Sequence, residues 1–398
     1  MALPISSTDV IYLDHAATTP LDPDVLRAMM PYLVGDFGNP SSVYGLGQTG
    51  HAALDLARTT IASVLNCTAA ELIFLGGATE SANLALSGVA WAARRRDPDG
   101  PWPHIVTTTV EHSAVLETAR WLEELGFGLT LVPCDAEGIV SPAAVAVAVR
   151  PETCLVSVML ANNEVGTIQD IPAIAAICQE RGVPLHCDAT QAAGSLAVEV
   201  EQLGVDLLTL SAHKFYGPKG VGLLYVRNGT EIAWQQRGGG QEGGRRGGTE
   251  NVAGIMGMAI ALDRAERFRP AYAAHCTALR DRLLAGLRER LPDLSLNGPL
   301  PGPRRLPNNL NIVLSGVQGE TVLLALDMEG VAASAGSACT VGRNEPSHVL
   351  EAMGRSDAET RTSVRFSVGR GNTAEQIDDA VDAIAGVVER TRQLAGSR

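Results

Sequence analysis

The stretch Leu208–Gly220, "LTLSAHKFYGPKG", passes from an apolar strand pattern into a polar turn. It holds Lys214 and Lys219, the only lysines among the 31 basic side chains of this 398-residue sequence. Arginine stays protonated at any working pH, so it cannot act as a neutral amine. Lysine can lose its proton when it is buried or placed near positive charge, and it is then a nucleophile or a base. Lys219, between Pro218 and Gly220, reads as a turn residue that carries only charge. Lys214 ends the apolar run "VDLLTLSAH", beside Ser211 and His213, and reads as a functional amine at the mouth of a sheet.

Working outward, the same texture repeats on both sides. Strand patterns are expected at 72–76, 104–110, 128–133, 154–160, 183–188, 206–212 and 220–226. Several lack polar alternation, as strands covered on both faces do. Helical stretches such as "SAVLETARWLEELG" and "IPAIAAICQERG" lie between most of them, which is the α/β signature of a mostly parallel central sheet. "GVGLLYV" follows its predecessor after a short turn and is expected to join antiparallel. Near residue 263 the texture changes to a long arginine-rich helix, roughly Leu262 to Arg290, then a proline-rich loop, "NGPLPGPRRLPNN". Beyond it strands are expected at "LNIVLS", "VAAS" and "SVRFSVG", with helices from Glu320, near "PSHVLEAM" and from Ala374. The expected organisation is a large α/β domain over 15–262. A smaller α+β domain is built from 1–14 and 263–398.

Composition bounds the function classes. With 45% hydrophobic and 19% charged residues the chain is an ordinary globular one. A net charge of −13 argues against nucleic acid or an anionic membrane as the main partner. No leader pattern or membrane-spanning run is read, and a cytoplasmic enzyme is expected. The seven cysteines are widely spaced, with no CxxC pair, which favours reduced thiols over a disulfide framework or a zinc site.

Five constellations carry chemistry. In "GGATESANLAL" a glycine pair leads into a helix near Ala78, whose free amides, with the Thr79 hydroxyl, form either an anion site or a plain helix start. In "HCDATQAAG", Asp188 and Gln191 stand just past a strand end, where open α/β sheets bind ligands. Asp188 there either caps a helix or holds the protonated nitrogen of a pyridoxal ring. "SAHK" offers Lys214 for a Schiff base with a carbonyl, including the aldehyde of pyridoxal phosphate. "RGGGQEGGRRGGTEN" packs seven glycines into one segment, as a loop that approaches an anion or a partner chain, or as a simple surface loop. "SAGSACTVGRNEP" sets Cys339 among small and polar residues, an exposed, mobile thiol able to act as nucleophile.

Taken together, these motifs give a strong resemblance to cysteine desulfurases of the NifS- and IscS-like class, which serve iron–sulfur cluster assembly. The resemblance runs from "YLDHAATTPLDPDV" through "GATESANLA", "VEHSAVLET", "ANNEVGTIQDI", "HCDATQAAG", "SAHKFYGPKGVG" and "GGGQEGGRRGGTEN" to "SAGSACT" and "VRFSVGR", nearly the whole chain. It implies a fold-type-I pyridoxal-phosphate enzyme, a homodimer with its sites at the subunit interface. By motif, Lys214 would hold the cofactor as a Schiff base, and His112 would stack on the ring and handle protons. Asp188 would pair with the ring nitrogen and Gln191 with the phenolic oxygen. Ala78, Thr79, Ser211 and His213 would surround the phosphate, and Thr249 would reach the phosphate of the neighbouring subunit. Asn163 and Arg365 would hold the carboxylate of L-cysteine. Cys339 would take its sulfur as a persulfide and pass it to an acceptor or iron–sulfur scaffold protein.

The departures are small. Leu75-Gly76 stands where a small hydroxyl residue often precedes the glycine. Gly247 and Ala335 stand where the family often has serine. The spacing from Ala338 to His348 resembles the long-loop class. Among rival readings, an aminotransferase has no need of Cys339. A selenocysteine lyase is the other enzymatic alternative, with selenium preference left open by the sequence, and a non-catalytic relative would have lost Lys214 or Cys339.

Overall fold

The structure, a computed structural model, describes residues 10–335 and 346–396, with side chains through 394. Cys339 and the expectation of a mobile loop around it lie outside the described residues.

The strands in chain order are β1 (Ile11–Tyr12), β2 (Leu72–Leu75), β3 (His104–Thr108), β4 (Gly128–Val132), β5 (Thr153–Met159), β6 (Leu185–Asp188) and β7 (Leu207–Ser211). They continue with β8 (Gly222–Val226), β9 (Ser295–Asn297), β10 (Asn309–Val313), β11 (Val331–Ala332), β12 (Ser334–Ala335) and β13 (Ser363–Ser367). Seven of them form one sheet in the order β2-β8-β7-β6-β5-β3-β4. From β7 to β4 every neighbouring pair is parallel, and β8 runs antiparallel to both β7 and β2. The unbroken apolar runs read in the sequence become strands buried on both faces. Val106, Val156, Leu185 and Leu208 belong to the core on one side, and Ile105, Leu155 and Leu207 to that on the other.

Because the strands are parallel, their carboxyl ends gather along one edge. The order reverses between β3 and β5, and open α/β sheets bind ligands at such a switch point. One close approach shapes this edge. A Cβ on Gly222 would meet the carbonyl carbon of Gly77 at 2.4 Å, so β8 can lie under the Gly76-Gly77 turn only because residue 222 is glycine.

A second body of apolar core, apart from the two layers that flank the large sheet, gathers Leu310, Ile312, Val364, Phe366 and Ile384 around the antiparallel sheet β12-β13-β10-β9, and Leu13 packs into it. Expectation and structure part at two places. The helix expected from Leu262 begins at Val252, capped by the Asn251 side chain on the Gly254 amide, and runs to Arg290. Its first turns, Val252 to Ala259, are buried all round, so they lack the polar side that marks a surface helix. This one helix joins both cores, through Met258 and Leu262 in the first and Leu279 and Leu287 in the second. The run "VAAS" splits into β11, which pairs with β1, and β12, which pairs with β13.

Candidate active site

The carboxyl ends of the sheet open on a cavity of about 1030 Å3. Eleven of the twelve residues singled out in the sequence fall in described segments, and ten of these line it: Ala78, Thr79, His112, Asn163, Asp188, Gln191, Ser211, His213, Lys214 and Arg365. Lys219 also reaches its wall. Thr249 lines a small adjoining cavity that shares Gly76 and Gly220 with the large one.

Lys214 ends the 3-10 turn Ala212–Lys214 that follows β7, and that turn sets its backbone. Its Nζ donates to the carbonyls of Ala16 at 2.5 Å and Ala17 at 2.8 Å. The Ala16 carbonyl also accepts from Nε2 of Gln191 at 2.9 Å. The N-terminal "HAATT" segment therefore orients two residues of the site, a role that sequence reading missed because Ala16 and Ala17 act through backbone carbonyls alone.

His112 follows β3 and caps the helix Ser113–Glu124, its Nδ1 accepting the Ala114 amide at 3.1 Å. That bond places the proton of the neutral ring on Nε2. Burial holds its pKa below the usual histidine value, against the opposing pull of Asp188, and the cation of Lys214 lowers it further. His213 packs its Nδ1 3.1 Å from Oγ1 of Thr18, and burial pushes it down to about 4. Both imidazoles are neutral at neutral pH.

Asp188 ends β6, nearly buried, with Oδ1 accepting the Thr190 amide at 2.9 Å. At the end of β2 the helix Ala78–Arg96 begins behind Gly77, which offers no side-chain cap. Its first-turn amides therefore face the cavity without the usual acceptor. Arg365, on β13, reaches in from the second core. It donates to the Asn163 carbonyl at 2.9 Å and to Oδ1 of Asp14 at 2.7 Å, while its buried Nε has no partner among the described residues. A guanidinium at a cavity wall suits a carboxylate.

Two buried acids were not anticipated. Glu111, wholly buried beside His112, accepts from Thr108 and from the Met159 amide, and burial pushes it up to about 8. Glu164, next to Asn163, accepts from Ser347, and burial raises it to about 7. An acid at a strand end in "TTTVEHS" and one in "ANNEVGT" were the available signals. The six described cysteines form no disulfide, and burial raises the pKa of every one, which keeps them as weakly reactive thiols.

An amine at a strand end, an acid and an imidazole across from it, and an uncapped helix start define a site of the fold-type-I pyridoxal-phosphate class. Residues 11–380 match the aminotransferase class-V family. The cysteine desulfurase IscS of Dictyoglomus turgidum is 45% identical over 97% of this chain and 96% of its own length. IscS of Clostridium botulinum is 43% identical over the same shares. A solved NifS-like protein superposes with a TM-score of 0.89 at 36% identity, over 96% of this chain and 100% of its own. SspA, solved in complex with cysteine, gives 0.76 at 34% identity, over 91% and 99% of the two chains. The chain belongs to the class-V aminotransferase family, among its cysteine desulfurases.

Proposed function

We propose that this protein is a pyridoxal-phosphate-dependent cysteine desulfurase that converts L-cysteine to L-alanine and passes the sulfur on as a persulfide. The observation that carries the reading is the convergence of Lys214, Asp188, His112 and the Ala78–Thr79 helix start on one cavity. The residues suit the cofactor. Lys214 supplies the amine for the aldehyde, the uncapped helix start with Ser211 and His213 suits the phosphate, and Asp188 and Gln191 suit the two polar edges of the ring. When bound, pyridoxal phosphate supplies an aldehyde that takes up an amine and a ring that accepts the electrons left at the substrate Cα.

The work of the protein's own groups follows. Arg365, with Asn163, holds the substrate carboxylate and so fixes which Cα bond faces Lys214. Lys214, with its amine free, would be the base that removes the Cα proton and later returns one. The neutral His112 would offer its Nε2 proton to groups bound in the cavity. Asp188, buried at the end of β6, would hold a proton on the ring nitrogen and strengthen its electron withdrawal. The Cys339 thiolate attacks the substrate sulfur. A new S–S bond forms as the Cβ–S bond breaks, and the carbon, once protonated, leaves as alanine.

The working unit in this reading is a cytoplasmic homodimer with Thr249 serving the partner's phosphate. The persulfide goes to an acceptor or iron–sulfur scaffold protein. The division into a domain over 15–262 and a second from 1–14 with 263–398 is part of the same reading, and the two apolar cores support it. Among the described residues no helix is long and apolar enough to cross a membrane. The test is to incubate the purified, cofactor-loaded protein with cysteine. Equal amounts of alanine and protein persulfide are expected. Transfer of the amino group to a keto acid, with no alanine formed, would contradict the reading.

A further inference from the structure

We propose that Arg246 is a positioning residue for the cofactor phosphate, acting through Glu80 by cancelling a carboxylate that stands at the anion cradle. The proposal rests on the reading of the cavity as a pyridoxal-phosphate site. Glu80 is in the first turn of the helix Ala78–Arg96 and faces the same cavity as Gly76, Gly77, Ala78 and Thr79. Its Oε2 accepts the Gly76 amide at 2.6 Å. A carboxylate is ordinarily welcome in the first turn of a helix, where the dipole presents positive charge. Here the same turn has to hold a phosphate, and two anions in one cradle repel each other. The sequence thus places an acid where the proposed ligand needs none.

The glycine-rich segment supplies the counter-charge. Arg246 donates from Nε to Oε1 of Glu80 at 3.0 Å, with Nη2 3.4 Å from Oε2. The two side chains are 23% and 31% exposed, so solvent screens the pair only in part. The segment is shaped to bring Arg246 there. Gln236 and Gly247 bond to each other through the Gly247 amide and carbonyl, at 3.0 and 2.9 Å. A Cβ on Gly247 would meet Cα of Gly238 at 2.7 Å, so the segment crosses itself at two glycines, one of them directly after Arg246. Arg246 and Thr249 line the small cavity that adjoins the large one at Gly76 and Gly220. Glu80 therefore ties the Gly76 turn to the loop, and Arg246 makes that tie compatible with an anion.

Charge cancellation and simple loop anchoring predict different signs. The test titrates pyridoxal phosphate into cofactor-stripped protein and reads its visible absorbance, for wild type, Arg246→Met, Glu80→Gln and the double variant. Arg246→Met should weaken binding by about tenfold at low salt, the effect of one partly screened charge near the phosphate, and less at high salt. Glu80→Gln should bind as tightly as wild type or more tightly, because Arg246 is then unopposed. The double variant should return close to wild type. If the pair only anchors the loop, both single variants weaken alike. If Arg246 grips the phosphate directly, the double variant stays as weak as Arg246→Met. Either outcome overturns the proposal. Should Arg246→Met fail to fold, Arg246→Gln takes its place in the same four-way comparison, with the same expected and contradicting results. Wild-type protein that takes up no pyridoxal phosphate would sink the functional reading itself, and this proposal with it.

Discussion

The floor and the rim of the cavity are built in different ways. The floor residues Asp188, Ser211, His213 and Lys214 stand at or just past the ends of β6 and β7, strands buried on both faces. Their positions follow from a hydrogen-bonded ladder and two apolar cores. The rim segment 237–251 has no ladder. It turns through positive φ at Glu242 (50°), Gly243 (65°), Gly244 (78°) and Gly248 (107°). Buried Glu242 holds it, paired with Arg58 and accepting the Phe74 amide at 2.9 Å. The contrast teaches that substitutions in the floor should change chemistry, whereas those in the rim should change stability or cofactor affinity.

The largest expected effects break the chemistry alone. Lys214→Ala should lower alanine release by at least about 100-fold, the scale of a lost general base, while Lys219→Ala retains most of the rate. Cys339→Ser should still bind the cofactor yet lose persulfide formation by orders of magnitude, since serine is far the poorer nucleophile. Near-normal turnover in either Lys214→Ala or Cys339→Ser would dissolve the distinction.

A rim substitution should act on stability instead. Glu242→Ala leaves the Arg58 guanidinium and the Phe74 amide without their buried partner. It should lower the free energy of unfolding by about 3 kcal/mol, the usual penalty for removing one member of a buried pair. Urea unfolding measures it, and an unchanged midpoint would show that the loop is held by other means.

A further effect, read as a pH trend rather than as a loss, concerns Glu111, beneath the floor. Its folded pKa of about 8 lies above the ordinary 4.5, so between those values the folded protein keeps a proton that the unfolded chain has lost. Its contribution to stability is therefore fully present below the unfolded pKa and falls as pH rises toward 8. Glu111→Gln cannot lose that proton. Relative to wild type, the variant should gain in melting temperature as pH rises from 5 to about 8. A constant gap across that range would mean that Glu111 is ionised throughout.

The floor was legible in the sequence because its signals are local. An apolar run ending in "SAHK" or "HCD" gives both the strand and the group at its tip. Lys214, among the chain's only two lysines, needed no spatial information. Long-range partnerships were not legible. Nothing in "HAATT" announces that the Ala16 carbonyl will hold both Lys214 and Gln191, nearly two hundred residues away. The first turns of the long helix were missed because buried residues on every side leave no amphipathic period. The rim loop read as glycine-rich and open to either interpretation. The residue that fixes it is an acid whose burial depends on Arg58 in a distant helix.

Borohydride reduction of the cofactor-loaded protein, followed by peptide mapping, tests the central claim most directly. It fixes the cofactor covalently to whichever amine holds it. The account predicts a single pyridoxyl label on Lys214, the amine held by the Ala16 and Ala17 carbonyls at the end of β7. A label on Lys219, five residues further along the same stretch, or on neither lysine, would contradict it.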